Sequence, residues 1–347
     1  MLAVKYHGPK NMEYVDIPKP EVLPGTALVK IKYCGICGTD VHAYSIPGIF
    51  DWELVLGHES VGVVEAVGAG VDNVKVGDRV AVGPPGDCGK CYACNTGHPN
   101  VCANAFPETL GIGPNTQGAY AEYVLSRHPQ NELFVIPDKV EFEQAVLFDV
   151  IGVGFHAVRR SELKVGDNAV VTGCGSVGLS AIQAAKLAGA RNVIAFDLNE
   201  TRREMALQAG ADYAFDSTSE EDVAKAREIL NHEGGAHVCF EAAGHPTSTT
   251  LCEQLCMAGG QVLVIGSDAR PYELVSAALG PRELDFKLSF TYTKEEIYML
   301  FQLIASGKWK TDVYTIEKAP LKEAIAKMEQ LSSGELDVAR VLLMPEA

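Results

Sequence analysis

The chain has 347 residues, a hydrophobic fraction of 47% and 34 glycines, which suits roughly two soluble domains with sizeable cores and many turns. Its net charge of −16, from 29 Lys and Arg against 45 Asp and Glu, argues against nucleic acid or anionic membranes as partners, because phosphate contacts need a basic surface. The start lacks a basic region followed by an apolar run, and no later stretch has the length and apolarity of a membrane span. The expected compartment is therefore the cytoplasm, where short-spaced cysteines suggest metal ligands before disulfides.

Residues 3–125 read as short strands separated by Gly- and Pro-rich turns, as in a small barrel. Val29, Ile31 and Tyr33 alternate with Lys30 and Lys32, the period of a half-buried strand, and 61–67 and 79–82 are further strands. The stretch from Gly35 to His42 places Cys37, Thr39, Asp40 and His42 within one short segment, and Gly57-His58-Glu59 follows. Cys37 and His58 are two ligands for a zinc ion, with Glu59 in reserve. A catalytic zinc needs about three protein ligands and an open position, so a further ligand must come from elsewhere in the chain. Lys75-Val76-Gly77-Asp78 returns as Lys164-Val165-Gly166-Asp167, and both read as turns feeding strands.

Cys88, Cys91, Cys94 and Cys102 follow in the spacing C-x2-C-x2-C-x7-C, within a polar, Gly-rich loop unlike a core. Four thiolates this close complete a tetrahedral shell around a structural zinc and leave no room for substrate.

After about Gly152 the pattern changes to alternating strands and helices, which predicts a parallel, doubly wound sheet. An apolar strand at 168–172 runs into Gly173-Cys174-Gly175-Ser176-Val177-Gly178, then a helix to Leu187 and a strand ending at Asp197. This is a dinucleotide turn in its required context, with an acidic residue 19 positions beyond Gly178. Gly173, Gly175, Val177 and Gly178 would bring the backbone to a pyrophosphate seated on the helix N-terminus. Asp197 suits ribose hydroxyls and so NAD, although Arg202 and Arg203 could accept the 2′-phosphate of NADP, and Asp197 could instead cap a helix. Further strands are expected at 212–215, 237–240 and 261–265, with a helix at 294–306. In the tail, a helix at 320–331 and a strand at 338–343 are expected to rejoin the first domain.

Together these motifs resemble the zinc-containing medium-chain dehydrogenases, the family of alcohol, sorbitol and threonine dehydrogenases. Gly57-His58-Glu59-x2-Gly62-x5-Gly68-x2-Val71 fits the family's zinc signature. The resemblance covers essentially the whole chain. It implies an α/β plus β architecture: a GroES-like barrel catalytic domain (1–152 and 294–347) bracketing a Rossmann domain (153–293), with the active site in the cleft between them. It also implies the missing ligand. The family places Cys, Glu or Asp five residues before a glycine that opens the helix joining the domains, and Asp149, five before Gly154, fits. Glu59 becomes a fourth or alternating ligand.

The implied chemistry is hydride transfer from an alcohol carbon to the nicotinamide, with zinc lowering the pKa of the alcohol. Thr39 takes the alcohol proton, His42 passes it towards solvent through the cofactor ribose, and Asp40 orients His58 through its free ring nitrogen. Thr39 could instead be a helix N-cap and His42 a surface histidine; a redox pair of Cys34 and Cys37 is set aside, because His58 and Glu59 follow in the zinc pattern and no thioredoxin-like context surrounds them. Val264, Ile265, Gly266, Phe290 and Thr291 are implied cofactor contacts. Cys174, Cys239, Cys252 and Cys256 read as small buried side chains.

The chain is similar to the polyol and secondary-alcohol branch, but Thr291 stands where that branch carries arginine, Ala43 where sorbitol dehydrogenases carry tyrosine, and Asp149 where they carry glutamate. Phe50, Trp52 and Phe106 either line a more apolar pocket or pack in the core. The expected substrate is a secondary alcohol or a polyol- or sugar-derived alcohol, and homo-oligomers (dimer or tetramer) are expected through edge strands at 261–265 or 285–290. Two readings compete: a zinc-free quinone or enoyl reductase, and a non-catalytic NAD-binding protein on the same fold. The first predicts no ligand set, and the second tolerates losses that this sequence does not show.

Overall fold

In the computed structural model, which describes residues 1–84, 87–267 and 270–345, the alternation around Val29 becomes the strand Ala27–Gly35. Val29, Ile31 and Tyr33 are buried, Lys30 is half-buried and Lys32 is exposed. This strand is the axis of a seven-stranded sheet among the described residues. Across the sheet lie Ile316–Pro320, Arg340–Met344, Ala27–Gly35, Glu59–Val67, Arg79–Val82 and Leu133–Val135, and Tyr123–Ser126 also pairs with Ala27–Gly35. A smaller sheet joins Asn11–Asp16, Leu2–Gly8 and Leu54–Val55. One apolar cluster links both sheets, from Val4 and Tyr6 through Val29, Ile31 and Leu56 to Met328 and Leu343. These elements form one unit, residues 1–149 with 293–347.

Residues 150–292 form the second unit. Among the described residues its six strands are all parallel, in the order Tyr213–Phe215, Asn192–Phe196, Asn168–Thr172, Ala236–Glu241, Cys256–Val264 and Asp285–Leu288. Numbered along the chain this is 3-2-1-4-5-6, a doubly wound sheet that reverses direction between Asn168–Thr172 and Ala236–Glu241. All five residues of Asn168–Thr172 are buried, as a strand covered on both faces requires. Cys239, Cys252 and Cys256 lie in the core beside it.

The repeated Lys-Val-Gly-Asp segments form the same turn in the two units. Each glycine takes positive φ (Gly77 +90°, Gly166 +92°), and each aspartate accepts the lysine N–H (2.9 Å from Lys75, 2.8 Å from Lys164).

Two expectations need correction. Cys256–Val264 has a neighbour on both sides, so the stretch 261–265 cannot be an edge; Asp285–Leu288 is one. The helix at the junction begins at Phe148, so Asp149 already sits in its first turn and Gly154 lies inside it. A Cβ at Gly154 would come 2.5 Å from Val177 O, so this glycine serves close packing on the helix Ser176–Leu187 rather than opening a helix.

Candidate metal centres and dinucleotide cleft

Strand pairing assembles the first centre. Gly35 faces Glu59 on one side and Leu342 on the other. A Cβ on Gly35 would come 2.7 Å from Glu59 Oε2, so the glycine leaves the carboxylate its space. Just past this point the chain turns into the helix Gly38–Ser45, with Cys37 rather than Thr39 at the N-cap. One ligand atom each from Cys37, His58 and Glu59 lies within 4.8 Å of the others, with His58 and Glu59 buried and Cys37 half-buried. Burial pushes the Cys37 thiol up, and the Asp40 and Asp149 carboxylates add to this while Arg340 opposes it. Burial likewise holds the Glu59 carboxyl well above its usual range, against the pull of Arg340. A thiol and several carboxyl groups enclosed beside one guanidinium, Arg340, would gain from a further cation, and a thiolate, an imidazole and carboxylates are the donor set zinc prefers.

Arg340 was not visible as a site residue in the sequence. Its Nη2 lies 2.8 Å from Glu59 Oε1 and its Nη1 donates to Ile36 O at 3.2 Å. The only signal was one charged residue opening the apolar run Val341-Leu342-Leu343.

Asp149 is buried and close enough to act on Cys37, Glu59 and Arg340. Asp40 is buried behind His58, with Oδ1 3.6 Å from His58 Nδ1. Thr39 Oγ1 lies 3.7 Å from Cys37 Sγ, and the exposed His42 is one helical turn beyond Thr39 on the same face. Cys34 is fully buried and its thiol is pushed well up by that burial, which leaves it inert rather than redox-active.

In the cysteine loop, one sulfur each from Cys88, Cys91, Cys94 and Cys102 lies within 4.8 Å of the rest. The Asn104 side-chain amide donates to Cys88 Sγ at 3.4 Å and, with backbone N–H groups, draws that thiol down to about 6. Burial, and then the neighbouring thiols, push Cys94 up to about 12. Four sulfurs gathered this closely fit a closed tetrahedral zinc shell.

In the second unit, a cleft of about 540 Å³ opens at the carboxyl ends of the strands beside the sheet's reversal, lined by Gly173, Gly175, Asp197, Arg202, Ser217 and His245 among others. The three glycines have separate tasks. Gly173 takes φ +87° in the turn. Gly175 faces open space, and a Cβ on Gly178 would run into Gly173 O. Gly175 caps the helix Ser176–Leu187 without a side-chain bond, so the first amides suit a pyrophosphate. Asp197 does not cap a helix; Asn199 does. The Asp197 carboxylate accepts from Cys174 N (2.7 Å) and Asn199 N (2.9 Å), tying the glycine turn to the next loop. Arg203 is held by the carbonyls of Asp197 and Leu198, both at 2.9 Å. Val177 is half-buried beside the turn.

Val264 and Gly266 line a second cleft of about 230 Å³ with Glu241 and His245. Buried Glu241 was missed in the sequence. Its carboxylate accepts from Ala243 N and Gly244 N at 2.9 Å, and its carbonyl accepts from Ile265 N and Gly266 N. Phe290 is exposed, and Thr291 takes φ +49°, a costly conformation for a β-branched residue.

Residues 23–138 match the alcohol dehydrogenase GroES-like domain, and residues 176–306 match the zinc-binding dehydrogenase family. The chain is 32% identical over 328 residues to the sorbitol dehydrogenase of Bacillus subtilis (strain 168), covering 92% of this chain and 91% of that protein. It is 34% identical to the (R,R)-butanediol dehydrogenase of the same organism, covering 99% and 100%. The crystal structure of 2R,3R-butanediol dehydrogenase from Bacillus subtilis aligns with a TM-score of 0.87 at 30% identity, over 99% of each chain. The chain belongs to the zinc-containing medium-chain alcohol and polyol dehydrogenases. It is thus an oxidoreductase of CH–OH groups that depends on zinc and a nicotinamide dinucleotide.

Within this dehydrogenase, Phe50 belongs to the core, while Trp52 bridges it to the exposed ring of Phe106, with centroids 5.4 and 5.9 Å apart. Ala43 is fully buried, with its carbonyl accepting from Tyr6 Oη at 2.9 Å.

Proposed function

We propose that this dehydrogenase oxidises a secondary alcohol, or an alcohol derived from a polyol or sugar, with NAD rather than NADP. The convergence of Cys37, His58 and Glu59 within 4.8 Å carries the reading. Cys37, His58, Asp149 and Glu59 would hold the catalytic ion, and Cys88, Cys91, Cys94 and Cys102 would hold a structural one. When bound, zinc would supply Lewis acidity towards an alcohol oxygen and the nicotinamide a hydride acceptor. Thr39, beside Cys37, receives the alcohol proton, and His42, one turn further and exposed, releases it to solvent. Asp40 faces His58 and fixes its ring. Asp197 and Arg202 meet the adenosine ribose, with the carboxylate disfavouring a 2′-phosphate. Val177 borders the pyrophosphate turn, and Val264, Ile265, Gly266, Phe290 and Thr291 serve the nicotinamide end. Thr291 in place of arginine and Ala43 in place of tyrosine remove two polar contacts to a polyol, so a less polar substrate than sorbitol is favoured.

The test is reduction of NAD and of NADP by zinc-replete enzyme across secondary alcohols, polyols, sugar acids and threonine, with and without chelator. Chelator-sensitive turnover on secondary alcohols or polyols, faster with NAD, is expected. Turnover that survives chelation, or none with any alcohol, would refute the zinc mechanism.

We place the enzyme in the cytoplasm as a homo-oligomer. Its ten cysteines are all free, as suits a reducing compartment, and no helix among the described residues is long and apolar enough to cross a membrane. The edge strand Asp285–Leu288 ends beside Leu288 and Phe290, which are 69% and 68% exposed, an arrangement suited to pairing with a second copy as a dimer or tetramer. Light scattering should give a multiple of the 37.2 kDa chain mass; a single-chain mass at working concentration would reject this.

A further inference from the structure

We propose that Tyr120 is the positioning residue that sets the His58 ring for its metal, acting both on the carboxylate behind the ring and on the turn that presents it. The inference rests on His58 being a zinc ligand, and the experiment below separates the two.

Tyr120 is fully buried, and its hydroxyl donates to Asp40 Oδ2 at 2.7 Å. The Cys37 N–H donates to the same oxygen at 3.0 Å. Oδ2 is thereby occupied twice, and Oδ1 is left facing His58 Nδ1 at 3.6 Å. Both of these atoms are buried, and neither has another hydrogen-bond partner among the described residues. An orphaned buried carboxylate oxygen beside an orphaned ring nitrogen is a pair waiting to close, because each costs free energy while unmet. Closing it would direct an Nδ1–H at Asp40 and leave Nε2 as the lone-pair donor available to a metal.

The tyrosine ring does a second task. Gly57, immediately before His58, takes φ +96°, and a Cβ there would come 2.5 Å from Tyr120 Cδ1. The ring therefore lies against the backbone that delivers His58. The main chain adds to this, since Tyr120 N donates to Leu56 O at 2.9 Å and Ala119 N to Gly57 O at 2.8 Å. Phenylalanine at 120 would keep the ring and main-chain contacts and lose only the hold on Asp40. A buried tyrosine hydroxyl needs some partner, but any carbonyl would satisfy it. Its partner here is a carboxylate that faces a candidate ligand.

The experiment is chelator competition on holoenzyme, reading zinc per chain for the parent, Tyr120→Phe, Asp40→Ala and the double variant. In Tyr120→Phe the first zinc to leave should bind about 10-fold more weakly, as for loss of an outer-shell partner, while the cysteine-loop zinc is unchanged. In the Asp40→Ala background the tyrosine substitution should add less than about twofold, because its target is gone. Unchanged affinity in Tyr120→Phe, or the same loss in both backgrounds, overturns the inference and leaves the zinc site standing. A parent enzyme that binds only the cysteine-loop zinc overturns the site and the inference together. A crystal structure of the zinc-loaded parent tests the idea without any variant: Tyr120 Oη should remain on Asp40 Oδ2, with Oδ1 at about 2.7–3.2 Å from His58 Nδ1. A hydroxyl bonded elsewhere overturns it.

Discussion

Asp149→Ala should lose the zinc at Cys37 and His58 and keep the zinc of the cysteine loop, with turnover falling by about 100-fold or more. The side chain is buried, and its charge raises both the Cys37 thiol and the Glu59 carboxyl, so it shares their enclosure. That makes the effect of the substitution depend on the metal. Without zinc, alanine removes both the repulsion from Cys37 and Glu59 and the attraction to Arg340, so stability changes little. With zinc, the same carboxylate is a ligand, and alanine lowers stability. A first-turn carboxylate that merely complemented the helix dipole would contribute about 0.3–1 kcal/mol in both states. Zinc per chain and urea midpoints, measured with and without chelator, decide between them. Full metal occupancy with normal turnover in the variant would refute the ligand role.

Arg340→Met should destabilise the fold by about 3–5 kcal/mol, the usual cost of leaving one member of a buried ion pair uncompensated. The side chains of Arg340 and Glu59 are 11% and 1% exposed, so water cannot replace the lost guanidinium. Methionine preserves much of the volume and tests charge rather than packing. If the cost comes from the stranded carboxylate, Glu59→Gln made in the same chain should recover most of it. A denaturant midpoint equal to the parent's, or no recovery in the double variant, would mean that the pair contributes little and that Glu59 is neutralised in some other way.

What the sequence disclosed follows the distance over which each feature is built. The Gly173 turn, its flanking strand and helix, and Asp197 are contiguous, and their geometry follows from local rules. The cysteine loop is legible for the same reason. Asp149 emerged only through resemblance, because nothing in its neighbourhood separates it from other carboxylates, and the helix it starts opens earlier than the glycine pattern suggested. Arg340 and Tyr120 were invisible. Arg340 meets Glu59 because two strands add to opposite sides of Ala27–Gly35, and Tyr120 meets Asp40 because the segment 118–120 bonds to Val55, Leu56 and Gly57. Strand order across a sheet is not written in the strands themselves, which is also why the interior position of Cys256–Val264 was not foreseen.

The register that brings Arg340 to Glu59 also separates the two candidate metal centres in time. Cys88 and Cys102 are 14 residues apart, whereas Glu59 and Arg340 are 281 apart, with the entire second unit between them. Loop-closure entropy makes the longer contact about 2.7 kcal/mol harder to nucleate. On a chain emerging from the ribosome, the four cysteines can gather as soon as residue 102 is free. Glu59 must wait for the strand Arg340–Met344, so its counter-charge arrives 281 residues later. A nascent chain therefore passes through a stage at which the cysteine loop can form while the surroundings of Cys37 and Glu59 are still incomplete.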